Sequence, residues 1–184
     1  MDFTLGRINL VTGKREVGKS NFCADLVREL KKMDHSVSGI ISPGTYKENK
    51  KIGIFSQNIS NGERIELAHY SPGWDPENPQ RVWKINLNAV HWGNSILRKM
   101  LLCEVIVIDE IGFLELEKHS GWSQAFQVLE GENYKIAFIV VRPDLIDIAL
   151  SKWENAQVIE LRDKDDRDAI LSSILNQAET ILAK

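Results

Sequence analysis

The run Gly13-Lys14-Arg15-Glu16-Val17-Gly18-Lys19-Ser20 sets two glycines, four residues between them, ahead of Lys and Ser. It follows the apolar segment Ile8 to Val11 and opens a segment with helical spacing, and that strand-then-helix context gives the pattern its meaning. Glycines at both ends let the backbone curl with no Cβ in the way, so that successive N–H groups can close around phosphate oxygens. The helix start adds its positive dipole end to the same anion site. The candidate phosphate-binding set is therefore Gly13, Lys14, Arg15, Glu16, Val17, Gly18, Lys19, Ser20 and Asn21. Lys19 is expected to reach the β- and γ-phosphates as a catalytic cation, and the Ser20 hydroxyl to ligate Mg²⁺.

Such a loop needs an acidic partner, and Val105-Ile106-Val107-Ile108-Asp109-Glu110 is an apolar run ending in two acids. At the carboxyl end of a buried parallel strand Asp109 would join Ser20 around the metal, directly or through water. Glu110 is then placed to orient an attacking water or take its proton. Arginines able to neutralise transition-state charge are Arg15, Arg98, Arg142 and Arg167. Arg142 ends an apolar strand, at the sheet edge where ligands sit in open α/β folds, and is the catalytic candidate; Arg167 is a candidate nucleotide contact.

The rest of the chain reads as alternating strands and helices. Ile8 to Val11 and Val37 to Ile41 are strands around a helix from Ser20 to Met33, whose Phe22, Leu26, Val27, Leu30 and Met33 recur at helical spacing. Ser42-Pro43-Gly44 ends the second strand. Ile52 to Ile59 and Arg64 to Tyr70 flank Asn61-Gly62, a strong hairpin signal, so an antiparallel excursion comes next. Residues 71 to 81 carry Pro72, Pro76 and Pro79 and read as a loop, in which Trp74 covers a ligand or pins the loop. A short strand from Val82, a helix from Asn88 to Leu102, the acidic strand, a helix from Gly121 to Gly131 and a strand from Ile136 to Val141 succeed it. A helix over Leu145 to Trp153, a strand over Ala156 to Leu161 and a helix over Asp165 to Leu182 complete the chain. The expected architecture is a three-layer α/β/α fold of the P-loop kind, with a mostly parallel central sheet and an antiparallel hairpin insertion, in one domain over residues 1–184.

Composition narrows the partners. A net charge of -3 gives no general pull toward nucleic acid or anionic membrane, and no apolar run approaches the ~18 residues that span a bilayer. The start lacks the basic and long apolar regions of a secretory signal, which predicts a cytoplasmic location. Cys23 and Cys103 lie in apolar stretches without metal-ligand spacing and read as buried free thiols. The histidines at 35, 69, 91 and 119 share no spacing, so no metal is assigned to them.

Further residues carry a resemblance. Val107 to Leu116 is similar to the Asp-Glu-Ile-Gly-x-Met-Glu-Leu segment of the small P-loop nucleoside-triphosphatases of the THEP type, the family that includes the animal cancer-related nucleoside-triphosphatase. Lys51-Ile52-Gly53-Ile54 resembles its Arg-x-Gly-Phe hairpin strand, Asn61-Gly62 and Leu67-Ala68 continue that hairpin, and Asp165 to Asp168 stands where the family has Glu-Asn-Arg-Asp. The resemblance implies Mg²⁺-dependent hydrolysis of nucleoside triphosphates to diphosphate and phosphate with little base discrimination. Gly13, Gly18, Lys19, Ser20, Asp109 and Glu110 would inherit the family's roles. The chain departs from the pattern at Arg15-Glu16, at Ser42 to Tyr46, where a Glu and an Arg are lost, at Lys51 in place of Arg, and at Asp166 in place of Asn. Two alternatives therefore stay open: a nucleotide or small-molecule kinase, and a slow nucleotide-dependent switch.

Overall fold

In the computed structural model, residues 4–48, 50–70, 83–100, 102–131, 133–163 and 166–183 are described. Five strands form the parallel heart of one sheet: β1 (Ile8–Gly13), β2 (Val37–Ile41), β7 (Val105–Ile111), β8 (Ile136–Val141) and β9 (Gln157–Leu161). Four more, β3 (Gly44–Lys47), β4 (Lys50–Asn58), β5 (Arg64–Tyr70) and β6 (Trp83–Ile85), extend it antiparallel. The order is β6-β5-β4-β2-β7-β8-β1-β9, with β3 attached to β4. The acidic strand β7 is thus not beside the loop-bearing strand β1, because β8 lies between them.

The central strands are buried on both faces, which explains why they read as continuous apolar runs rather than alternations. Their pleat still sorts residues by parity. Val105, Val107, Ile136, Phe138 and Val140 pack with α1 (Lys19–Lys32) and α6 (Asp166–Leu182) through Phe22, Leu26, Leu30, Ile170 and Ile174. Ile106, Ile108, Ala137, Ile139 and Val141 face the other way. There they meet Leu97 of α2 (Leu87–Arg98), Ala125 and Leu129 of α4 (Gln124–Glu130), and Ala149 of α5 (Ile146–Lys152). Three layers with two apolar interfaces result, and both cysteines are buried free thiols within them.

Differences from the sequence-based expectations have local causes. The excursion after β2 is a four-stranded antiparallel extension rather than a single hairpin, because Gly44 to Lys47, to which the sequence assigns no strand, pairs along β4, and the short strand expected from Val82 pairs with β5 as β6. Pro43 has no N–H to give, so the ladder of β2 is interrupted there, while its carbonyl still accepts from the Phe55 N–H of β4 at 3.0 Å and the chain resumes on that partner as β3. A one-turn helix, α3 (Phe113–Leu116), comes after β7 and is too short to leave a periodic signal. The helix expected from Asn88 to Leu102 starts at Leu87, where the Asn86 side chain accepts from the Asn88 N–H at 3.0 Å, and stops at Arg98. The expected loop 71–81, with Trp74 and Arg81, lies outside the described residues.

One close approach sets the spacing of β2 and β7. Gly39 has φ of 126°, and a Cβ there would clash with the backbone of Val107. Gly39→Ala is expected to destabilise the fold by at least about 3 kcal/mol, since neither the backbone conformation nor the neighbouring strand can give way. Urea unfolding monitored by circular dichroism measures this.

Candidate active site

The loop between β1 and α1 owes its shape to its two glycines. Gly13 has φ of 147° and sits so close to Leu161 of β9 that a Cβ would strike its carbonyl oxygen; Gly18 has φ of 98° and starts α1. No side chain caps this helix start and its first turn holds no acid, so its leading N–H groups are left for an outside acceptor. Val17 is buried and anchors the loop, whereas Lys14, Arg15, Glu16 and Asn21 are exposed. Glu16 adopts φ of 66° and is exposed. Lys19 folds back over the loop and its Nζ donates to the carbonyl oxygens of Gly13 at 2.7 Å and Lys14 at 3.0 Å.

Asp109 and Glu110 arrive on β7 by a distortion. Ile108 pairs with Ile139 and Ile111 with Val141, leaving Asp109 and Glu110 opposite Val140 alone, and Glu110 has φ of 70°. Successive strand residues ordinarily point to opposite faces. The extra residue and the left-handed turn break that rule. Asp109 stays buried while Glu110 is exposed, yet the charges of both act on Lys19. Burial holds the Lys19 ammonium below the usual lysine range; Glu110 and then Asp109 pull it back up, and the nearby Arg142 guanidinium pushes it down.

The two halves of the site meet at Ser20 and Asp109: the Ser20 hydroxyl lies close enough to the Asp109 carboxylate to favour its charged form. The other support is the backbone N–H of Ser42, which donates to Asp109 Oδ2 at 3.0 Å. Burial nevertheless raises the Asp109 pKa; the Ser42 N–H and Ser20 hydroxyl lower it, Glu110 raises it and the Lys51 charge lowers it. Two oxygens side by side, one neutral and one anionic, at the mouth of an anion loop suit a hard divalent cation that takes its remaining ligands from water and phosphate. Among the described residues no group of three or more His, Cys, Asp or Glu side chains could hold a metal alone. Ser20 and Asp109 thus fit Mg²⁺ carried with a polyphosphate better than a metal caged by protein.

The remaining candidates separate. Arg142 comes just after β8 on the same edge, with Nη2 at 3.6 Å from Asp144 Oδ2. Arg167, in the first turn of α6, puts Nη1 3.6 Å from the position a Cβ on Gly18 would take. Its Nη2 is 3.2 Å from Asp25 Oδ2 of α1, and its Nε is buried without a hydrogen-bond partner. Arg15 points to solvent, and Arg98 lies on the α2–α4 side, donating to Gln124 at 3.3 Å. Two residues of the site escape sequence reasoning. Ser42 registers there only as part of a strand stop. Glu115 registers only as part of a motif; it is buried and accepts from the N–H groups of Gly112 and Trp122, each at 2.8 Å. It thereby pins the segment after Glu110 from beneath. No spacing rule marks a buried acid whose partners are backbone groups.

These parts define a P-loop α/β fold with a phosphate loop and an acidic strand meeting at one sheet edge. The profile of the NTPase family matches residues 9–175, and the chain belongs to that family. "Nucleoside-triphosphatase THEP1" of Caldivirga maquilingensis is 26% identical over 94% of this chain and 95% of its own. The protein of the same name from Methanothermobacter thermautotrophicus is 30% identical, covering 91% of this chain and 93% of its own. The solution structure of a human cancer-related nucleoside triphosphatase superposes with a TM-score of 0.71 at 21% identity, over 95% of this chain and 98% of that one, a likeness of fold.

The geometry sets two stability outcomes. The folded Asp109 carboxyl titrates above its unfolded value, so its charge costs stability above the folded pKa, and the cost fades as pH falls toward the unfolded value. Asp109→Asn is therefore expected to raise the melting temperature by a few degrees at neutral pH, with the gain shrinking in acid, in scans across pH by calorimetry. Glu115→Ala, which strands two backbone N–H groups, is expected to cost about 2–4 kcal/mol by chemical denaturation.

Proposed function

We propose that the nucleoside-triphosphatase activity of this family is exerted here at the edge formed by Gly13 to Asn21, Asp109 and Glu110. The reaction converts a nucleoside triphosphate and water to the diphosphate and phosphate. The observation that carries this reading is the approach of Ser20, at the start of α1, to the buried Asp109 carboxylate, with the Glu110 and Asp109 charges both acting on Lys19, which brings the phosphate loop and the acidic strand to one point.

In this mechanism the N–H groups of the loop and of the start of α1 hold the phosphate chain. Lys19, now tied to the Gly13 and Lys14 carbonyls, turns its ammonium to the β- and γ-phosphates. Ser20 and Asp109 would hold Mg²⁺, which would offset negative charge on the phosphate chain. Glu110, exposed at the mouth, orients a water for in-line attack on the γ-phosphorus and takes up its proton. Arg142 neutralises charge as the bond to the diphosphate breaks, and Arg167 contacts the nucleotide beside Gly18. We further propose that residues 1–184 act as one domain in the cytoplasm; among the described residues no helix is long and apolar enough to cross a membrane.

Phosphate release from several triphosphates, with and without Mg²⁺ and with and without candidate acceptors, tests the reading. Steady Mg²⁺-dependent release without acceptor is expected. Dependence on an acceptor would instead indicate a kinase, and tight binding with negligible turnover a switch. Lys19→Ala is expected to abolish productive nucleotide binding. Glu110→Gln should bind nucleotide nearly as wild type while turnover falls roughly 100-fold or more. Wild-type turnover by Glu110→Gln would remove Glu110 from its role.

A further inference from the structure

The carboxyl edge of the sheet has an order of its own. Along β9, β1, β8, β7 and β2 the residues just past or at the strand ends are Arg167 by way of α6, the phosphate loop with Lys19, Arg142, the Asp109–Glu110 pair, and Ser42. With Arg167 as the nucleotide contact, a phosphate chain lying in the loop has its nucleoside end on that side and so runs toward β7 and β2. The cations already assigned, Lys19 and Arg142, approach from the loop side of Asp109. On the far side, beyond β2, stands the β3–β4 hairpin.

Three observations converge there. Lys51 of β4 is half-buried, and its side chain runs across Gly44: a Cβ at residue 44 would lie 2.7 Å from Lys51 Cε and 3.3 Å from Cδ. Gly44 stands two residues beyond Ser42, whose N–H is bonded to Asp109 Oδ2, so the absence of a side chain at 44 opens a track for the lysine toward that end of β2. β4, which carries Lys51, lies beyond β2 on the side of β7 away from β8 and β1, so the Lys51 charge reaches the buried Asp109 carboxylate from the flank opposite the phosphate loop. Third, Ser42 is only 8% exposed and its Oγ is buried without a hydrogen-bond partner. A hydroxyl in that state costs stability unless it gains a partner on binding.

We propose that the Lys51 ammonium, laid across Gly44, and the Ser42 hydroxyl form a second donor pair that binds the γ-phosphoryl group from the side opposite Lys19. This rests on the nucleotide reading of the site given above and adds residues from the antiparallel extension to it. A diphosphate occupies the loop without reaching this flank, whereas a triphosphate engages both. The extension thereby makes the site sensitive to the γ-phosphoryl group, and the charge that spreads over the γ-oxygens during transfer falls between Lys19 and Lys51.

Calorimetric titration with ADP and with a non-hydrolysable ATP analogue, both with Mg²⁺, together with phosphate release, tests the pair. Lys51→Met keeps the apolar stem over Gly44 and removes the charge. It is expected to weaken the triphosphate analogue about 10-fold while ADP affinity stays within about two-fold, and to lower kcat roughly 100-fold. Lys51→Arg should recover most of the loss. Gly44→Ala, which pushes the lysine from its track without removing it, should show the same pattern at smaller amplitude, as should Ser42→Ala. Retained ADP binding reports that each variant is folded. Equal losses for both nucleotides, or no loss for either, would overturn the inference. Failure of the wild-type protein to bind ADP at all would instead bring down the nucleotide reading on which it rests.

Discussion

Two strand spacings separate β1 from β7, because β8 runs between them, and that places the end of the acidic strand about 10 Å from the end of the loop strand. The rest of the site depends on how that gap is crossed. Ser20, one residue into α1, narrows it from the loop side by approaching the Asp109 carboxylate. A gap of this size between an anion loop and a buried carboxylate is filled naturally by a phosphate chain and a hard cation. Without β8 in the middle, Asp109 would crowd the phosphates instead of facing them across a metal.

Holding a fully buried carboxylate in that position is costly, and the protein offsets the cost locally. Ser42 lies one residue past the last paired residue of β2, and its N–H turns to Asp109 instead of to a neighbouring strand. Glu115 fixes the other side of the β7 end by gathering the Gly112 and Trp122 N–H groups. Between these supports Glu110 keeps a left-handed backbone, which a strand would not adopt unaided. Its energy is sustained by the surrounding hydrogen bonds, and the return is that adjacent acids both act at one mouth.

Much of this is legible in the sequence. Apolar runs of four to six residues place β1, β2, β7, β8 and β9, and the glycine spacing with Lys19-Ser20 marks the loop. The Asp109–Glu110 pair is legible because two adjacent acids closing an apolar run stand out against the buried strand that carries them. The strand order is not, since nothing local says that β8 inserts between β1 and β7. Nor is β3, whose four half-polar residues are strand only because β4 pairs with them. Ser42, Glu115 and the Lys51–Gly44 contact escape for the same reason: each acts through a partner distant in sequence or through backbone groups, and neither leaves a periodicity.

The central claim is that Ser20 and Asp109 meet a metal-bound triphosphate lying in the loop. A crystal grown with Mn²⁺ in place of Mg²⁺ and a non-hydrolysable triphosphate, phased at the manganese edge, addresses it directly. The expected result is one anomalous peak between the Ser20 hydroxyl and the Asp109 carboxylate, with the phosphates inside the curve from Gly13 to Ser20. A peak elsewhere, or phosphates outside that curve, would contradict it.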